Sequence, residues 1–291
     1  LQLHVGPDML VQYKDIEIKE LTSKEAYIKP GELMPDVDAA RSEKLGTEAA
    51  HWRMPEGFTL EEVASHELIG SVINMTFDHL GRPLVATENE GVRLLLDENG
   101  DGKYDKVKSI SEEVKRAMGL CYIAPGDLLV QADGAQAPGI YRVVDKNADD
   151  VADEVTQLVK AKSGGMGEHA PHAIAYGADG FLYIMYGNHS YPDFKIEADS
   201  PSRGFQEDFL MPRYWDARGH AKGILAPGGT VQRLSPDLKT MWQHCGGFRN
   251  AYDLSIDTTG EIFTYDSDME WDVGLPWYRE VRVVHCVPGA D

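Results

Sequence analysis

The sequence predicts an all-β chain arranged as a β-propeller, on three observations. A strand, tight turn, strand unit recurs, a further apolar run follows each unit, and the spacing between units is uneven. The clearest unit is Ala173-Ile174-Ala175-Tyr176, then Gly177-Ala178-Asp179-Gly180, then Phe181-Leu182-Tyr183-Ile184-Met185. Glycine suits a turn that needs positive φ, and an Asp side chain accepts a bond from nearby backbone, so this stretch reads as a hairpin. Ile73 to Asp78 leads in the same way through His79-Leu80-Gly81-Arg82 into Pro83 to Thr87. Gly119 to Gln131 is a compressed version around Pro125-Gly126-Asp127. Ala251 to Ile256 leads through Asp257-Thr258-Thr259-Gly260 into Glu261 to Tyr265.

The runs that follow are Gly91 to Leu96, Gly139 to Val144, Gly229 to Leu234 and Val281 to Cys286. One unit therefore carries three or more short strands, the pattern of a radial β architecture. Spacing widens from roughly 45 residues to about 80 at the third interval, which a propeller accepts as a loop insertion and a solenoid tolerates badly. A two-sheet sandwich is the competing architecture, since it too uses many short strands.

Composition sets outer limits. With 42% hydrophobic residues, 29 Gly and 15 Pro in 291 residues, the chain falls with globular proteins rather than disordered ones. No apolar run approaches the roughly 18 residues of a membrane-spanning helix. A formal charge of −20 excludes nucleic acid and anionic membranes as partners and suits cations instead. Cys121, Cys245 and Cys286 show no CxxC spacing, so neither a zinc ribbon nor a c-type haem is carried; one disulfide with a thiol left over is compatible with them. The chain begins at Leu1 in a strand-like run, so any signal peptide precedes this sequence or has been removed.

Two acidic loops carry the clearest ligand pattern. Asp97, Asn99, Asp101 and Asp105 stand at positions 1, 3, 5 and 9 of one loop, with the Lys103 carbonyl at 7 and Gly102 at 6. Calcium takes six to eight oxygens, and alternating ligands on a tight loop converge on one point. Asp145, Asn147, Asp149, the Val151 carbonyl and Asp153 repeat the spacing, with Asp150 where glycine is preferred. Lys108 and Thr156 replace the bidentate glutamate of an EF-hand, so neither loop is one. The bland alternative is a pair of solvated turns closed by their own Asx side chains.

His169 and His172 precede an inner strand, at the end of a blade that faces a propeller's central channel. Gly246-Gly247-Phe248-Arg249-Asn250 occupies the equivalent place one blade later. Imidazole accepts a proton near neutral pH, and a fixed guanidinium stabilises an oxyanion or holds a carboxylate. The insertion from Gly187 to Gly228 holds Tyr191, Arg203, Arg213, Tyr214, Trp215, Arg218 and His220, flat aromatics and forked donors suited to sugars or, alternatively, to a cover over the rim or an oligomer contact.

These residues carry a family resemblance. The run from His169 to Asp179 resembles the segment of soluble glucose and sorbosone dehydrogenases in which a catalytic histidine precedes a strand and its turn. Gly247-Phe248-Arg249-Asn250 is similar to that family's Gly-x-Arg-Asn, whose Arg and Asn contact pyrroloquinoline quinone (PQQ). The nearer likeness is to the membrane-bound-dehydrogenase-like propellers of planctomycetes and verrucomicrobia, on GFRNAYDLSIDTTGEIFTYDSDMEWDVGLPWYR, and it spans roughly Pro55 to Asp291. The resemblance implies a six-bladed family, of which about four blades are counted here. It implies His169 and Arg249 as catalytic residues, Arg249, Asn250 and His172 as quinone contacts, and a calcium near Asp266 and Asp268. Two departures are His172-Ala173 in place of Gly-Arg, and Asp253 in place of a usual glycine.

LQLHVGPDMLVQYKDIEIKEL, residues 1–21, resembles the closing strands of the jelly-roll domain of 3-keto-disaccharide hydrolases. The expected organisation is therefore jelly-roll strands over 1–21, a linker over 22–57, and a propeller over 58–291 that stops short of the family's full length. The expected activity is quinone-dependent oxidation of a sugar or alcohol, with a c-type cytochrome as acceptor, in a periplasmic or extracellular compartment. The alternative is a non-catalytic, calcium-stabilised propeller that binds glycan or protein within a larger polysaccharide-processing chain.

Overall fold

Three cores separate four sheets, and alternation along the strands explains why. In the computed structural model the described residues are 57–87, 89–134, 137–163, 169–203, 224, 227–268 and 280–290. The chain divides into compact units at Leu1–Glu61 and Glu62–Asp291, and the blades all lie in the second. The expectation of jelly-roll strands over 1–21 lies outside the described residues.

Blade 1 is β1 (Val72–Phe77), β2 (Pro83–Thr87), β3 (Val92–Leu96) and β4 (Lys106–Ser111), hydrogen-bonded in that order. Blade 2 is β5 (Val114–Ala124), β6 (Asp127–Gly134), β7 (Pro138–Val144) and β8 (Glu154–Ser163), with β11 (Ser190–Pro192) added beyond β8. Blade 3 is β9 (Pro171–Tyr176), β10 (Leu182–Tyr186), β12 (Gly229–Leu234) and β13 (Met241–Phe248). Blade 4 is β14 (Leu254–Ile256), β15 (Ile262–Asp266) and β16 (Arg282–His285). Neighbouring strands within each blade pair antiparallel.

Because successive side chains on a strand face opposite sides, a strand between two blades must be apolar at nearly every position. In β6, Leu128, Val130 and Ala132 enter the core shared with blade 1, while Leu129 enters the core shared with blade 3. In β10, Leu182, Ile184 and Tyr186 face blade 2, and Tyr183 and Met185 face blade 4. This double burial explains the unbroken apolar runs that mark each repeat. On the outer side of the first blade Met75 and Phe77 stay exposed, as do Tyr265 and Val283 on the fourth.

The inner strands β1, β5, β9 and β14 pack against one another in chain order, which is the radial arrangement expected. Asn74 Nδ2 donates to the Met118 carbonyl (3.1 Å) between the first two. Tyr252, just ahead of β14, donates its hydroxyl to the Ile73 carbonyl of β1 (3.0 Å), so blade 4 is tied directly to blade 1. No helix among the described residues is long and apolar enough to cross a membrane.

Candidate functional site

His169 and Arg249 occupy matching places, each between the last strand of one blade and the inner strand of the next. Antiparallel pairing then assembles the rest. The end of β10 lies beside the start of β9, with Tyr186 opposite Pro171, and the end of β15 lies beside the start of β14, with Leu254 opposite Thr264. His169, Asn188, Arg249, Asn250, Asp266 and Asp268 therefore all sit at one end of their strands.

Hydrogen bonds knit this end together. Asn188 bonds His169 Nδ1 through its side-chain oxygen and donates its backbone N–H to the Arg249 carbonyl (2.9 Å), so one residue couples the two expected catalytic positions. An amide oxygen only accepts, which places a proton on His169 Nδ1. His189 stacks on His169 with ring centroids 4.4 Å apart. His169 is 2% exposed and has φ of 63°, a left-handed conformation that few residues other than Gly, Asn, Asp and His adopt.

His172 is equally buried. Its Nε2 donates to Asn250 Oδ1 (2.6 Å), its ring lies 5.0 Å from that of Tyr252, and its buried Nδ1 has no partner among the described residues. Burial lowers its pKa below the usual 6.5, partly offset by the Asn250 bond and the nearby Asp253, so the ring is neutral at pH 7. Two glycines permit the close approach: a Cβ on Gly187 would lie 2.5 Å from the His169 carbonyl oxygen, and one on Gly119 would lie 2.6 Å from that of His172.

Asp266 anchors the arginine. Its carboxylate, fully buried, accepts backbone N–H bonds from Arg249 (3.2 Å), Asn250 (2.9 Å) and Ser267 (3.0 Å), and a guanidinium bond from Arg282 (3.1 Å). Arg249 Nη1 in turn donates to Ser267 Oγ (3.0 Å). Asp266 was expected as a calcium ligand, but its oxygens are engaged by donors. Asp268 is half-buried two residues further on. Asn188 was not anticipated, and its only local signal is its place directly after an inner hairpin.

The two acidic loops lie elsewhere. Both connect the third and fourth strands of their blades, at the strand ends opposite to His169 and Arg249. Asp97 accepts backbone N–H bonds from Gly100 (2.7 Å), Asp101 (3.2 Å) and Gly102 (2.9 Å), and Asp145 does the same for Ala148 (2.8 Å), Asp149 (3.3 Å) and Asp150 (2.8 Å). Asn99, Asp101, Asn147 and Asp149 each accept a further N–H two residues on, including those of Lys103 and Val151. Asp105 and Asp153 close the loops onto the N–H groups of Glu98 and Lys146. Gly100 and Gly102 have positive φ, and so do Ala148 and Asp150, which shows one conformation built twice. Among the described residues no three His, Cys, Asp or Glu side chains are grouped to hold a metal.

The first part of the insertion behaves as a cover. Ser200 Oγ accepts the Gln243 N–H (3.0 Å), and Ser202 donates to the Gln243 carbonyl (3.2 Å), which lays this segment along β13. Tyr191 is exposed, with Lys162 over its ring. Arg203 donates to the Ala198 carbonyl (3.0 Å), and Arg213, Tyr214, Trp215, Arg218 and His220 lie outside the described residues.

The profile of a family known as a domain of unknown function, DUF7133, matches residues 45–276. The chain belongs to this family. The match begins inside the stretch read from sequence as a linker. No curated protein matches the chain. Among solved structures, a Trichoderma reesei carbohydrate-active enzyme of family AA12 is similar at 11% identity, with 75% of this chain and 52% of that chain covered and a TM-score of 0.51. The PQQ-bound aldose sugar dehydrogenase of Streptomyces coelicolor is similar at 16% identity, over 79% of this chain and 63% of that chain, with a TM-score of 0.48. The PQQ domain of Coprinopsis cinerea pyranose dehydrogenase is similar at 12% identity, over 76% and 52%, with a TM-score of 0.46. This chain thus spans less than two thirds of those neighbours' own length. At 11% identity and a TM-score of 0.51, the likeness to the Trichoderma reesei enzyme bears on the fold alone.

Proposed function

We propose that the chain is the propeller of a quinone-dependent dehydrogenase acting on a sugar or related alcohol. The observation that supports this most is the coupling of His169 to Arg249 through Asn188, at the end of the blades where the Gly247-Phe248-Arg249-Asn250 motif also lies. A proton acceptor and a cationic anchor for an anionic group thereby share one rim.

The donor set fits PQQ, a planar group that carries carboxylates. Arg249, Asn250 and His172 would hold it, the first two as donors and the neutral His172 through Nδ1, an acceptor with no partner among the described residues. Bound there, the quinone would supply a hydride acceptor. The protein's own contribution is proton transfer and orientation: His169 takes the substrate hydroxyl proton at Nε2, because the Asn188 oxygen holds the proton on Nδ1. His172 stays neutral through burial and so adds no competing charge. A periplasmic or extracellular site of action and a c-type cytochrome as electron acceptor belong to the same proposal.

Titrating the intact protein with PQQ tests this reading. A saturable change in the quinone spectrum is expected, with affinity at least about tenfold weaker in Arg249→Gln, since a charge-assisted bond contributes roughly 1.5–3 kcal/mol. An unchanged spectrum would remove the quinone from the account.

Calcium is proposed for the loops Asp97–Asp105 and Asp145–Asp153, in a structural role remote from His169. What supports it is the placing of Asp97, Asn99, Asp101 and Asp105, and of Asp145, Asn147, Asp149 and Asp153, at positions 1, 3, 5 and 9 of two loops that share one conformation. Adding a chelator should lower the melting temperature by several degrees, and restoring calcium should reverse it. Melting unaffected by chelator, with no calcium in the purified protein by elemental analysis, would leave both loops as plain turns.

A further inference from the structure

The seam between blades 3 and 4 holds two thiols that the proposed chemistry does not use. Cys245 lies on β13, and Cys286 follows β16 directly; they are 1% and 2% exposed. The segments that carry them run side by side: Gly246 donates its N–H to the Ala290 carbonyl (3.0 Å), Gly289 to the His244 carbonyl (2.7 Å), and His244 Nε2 to the Cys286 carbonyl (3.0 Å). The two thiols adjoin and pack in one core with Phe248, Ala251 and Ile262. Cys121 belongs to a different core, between blades 2 and 3. A cavity of about 190 Å³ opens onto both thiols, with Asp266 and Arg282 also in its wall.

We propose that Cys245 and Cys286 are a reactive pair that hydrogen peroxide, small enough to enter this cavity, oxidises to a disulfide, clamping blade 3 to blade 4. In the proposed sequence Cys286 is the attacking sulfur, its thiolate favoured by contact with Cys245. The Cys286 thiolate attacks one peroxide oxygen, the O–O bond breaks, and the products are a sulfenic acid on Cys286 and a hydroxide that leaves as water with the thiol proton. The Cys245 sulfur then attacks the Cys286 sulfur, and the S–OH bond breaks. That hydroxide leaves as a second water with the Cys245 proton. Two thiols are oxidised by two electrons, and one peroxide is reduced to two waters.

The clamp would fasten the strand that leads through Gly246 and Gly247 to Arg249. It does not depend on the dehydrogenase reading, because neither thiol is assigned a part in that chemistry.

The test starts from fully reduced intact protein, treated with one equivalent of hydrogen peroxide, quenched with catalase, then denatured, alkylated and mapped by peptide mass. The expected result is a Cys245–Cys286 linked peptide lighter by two hydrogens, with Cys121 alkylated. Melting should rise by roughly 5–15 °C and fall back with dithiothreitol. Cys121→Ser should keep that shift and Cys286→Ser should lose it; should Cys286→Ser fail to fold, the wild-type map decides alone. Three alkylated cysteines after peroxide, a link to Cys121, or a sulfinic acid at Cys286 without a link would each overturn the proposal.

Discussion

Replacing Asp266 by Ala is expected to destabilise the protein by about 3–5 kcal/mol, which for a domain of this size lowers the melting temperature by roughly 6–20 °C. The reason is the number of donors that depend on one buried carboxylate. Arg249, Asn250 and Ser267 each lose the acceptor of a backbone N–H, and Arg282 loses its partner. Burying a donor without a partner costs about 1–3 kcal/mol, so even partial access of water leaves a large deficit. Asp266→Asn keeps one oxygen in place and should cost less than the Ala variant. Thermal melts of the three proteins measure this directly, and an Ala variant that melts within a degree of wild type would show that the carboxylate anchors nothing.

Replacing His169 by Asn should slow sugar oxidation by about 10²–10⁴-fold, the usual loss when a general base is removed. Asn is the informative substitution because the backbone at position 169 is left-handed, which Asn tolerates and Ala does so only at a cost of roughly 1–2 kcal/mol. His172→Gln should cost far less, since the role proposed for His172 is contact with the quinone rather than proton transfer. Turnover measured with PQQ and calcium supplied separates the two. Equal losses in both variants would mean that position 169 has no special role in moving the proton.

Much of the blade pattern was legible in the sequence for a simple reason. Strands such as β2 and β10 are buried on both faces, so Pro83 to Thr87 and Leu182 to Tyr186 read as unbroken apolar runs. The outer strands were harder to see. β4 and β8 lie further out in their blades, and Lys106 to Ser111 and Glu154 to Ser163 mix charged and apolar residues accordingly.

The site was legible only in part. His169, Arg249 and Asn250 stand out because they precede inner strands in consecutive blades, a relation that repeats in sequence, and His172 because it lies at the start of one of those strands, β9. Asn188 does not, because its partners His169 and Arg249 lie far from it along the chain and are brought near only by strand pairing. Asp266 was seen as acidic, but its place on the inward face of β15, in line with Ile262 and Thr264, is what makes it an anchor. Alternation along that strand contained the signal. Which donors would surround the carboxylate was a matter of tertiary packing.

The most direct test of the central claim is sugar-dependent dye reduction by the intact wild-type protein loaded with PQQ and calcium, across a broad panel of sugars and sugar alcohols. The account predicts turnover with at least one of them that is lost when PQQ is omitted and falls by about 10²–10⁴-fold in His169→Asn. Protein shown to have bound the quinone, yet reducing no dye with any member of the panel, would contradict it.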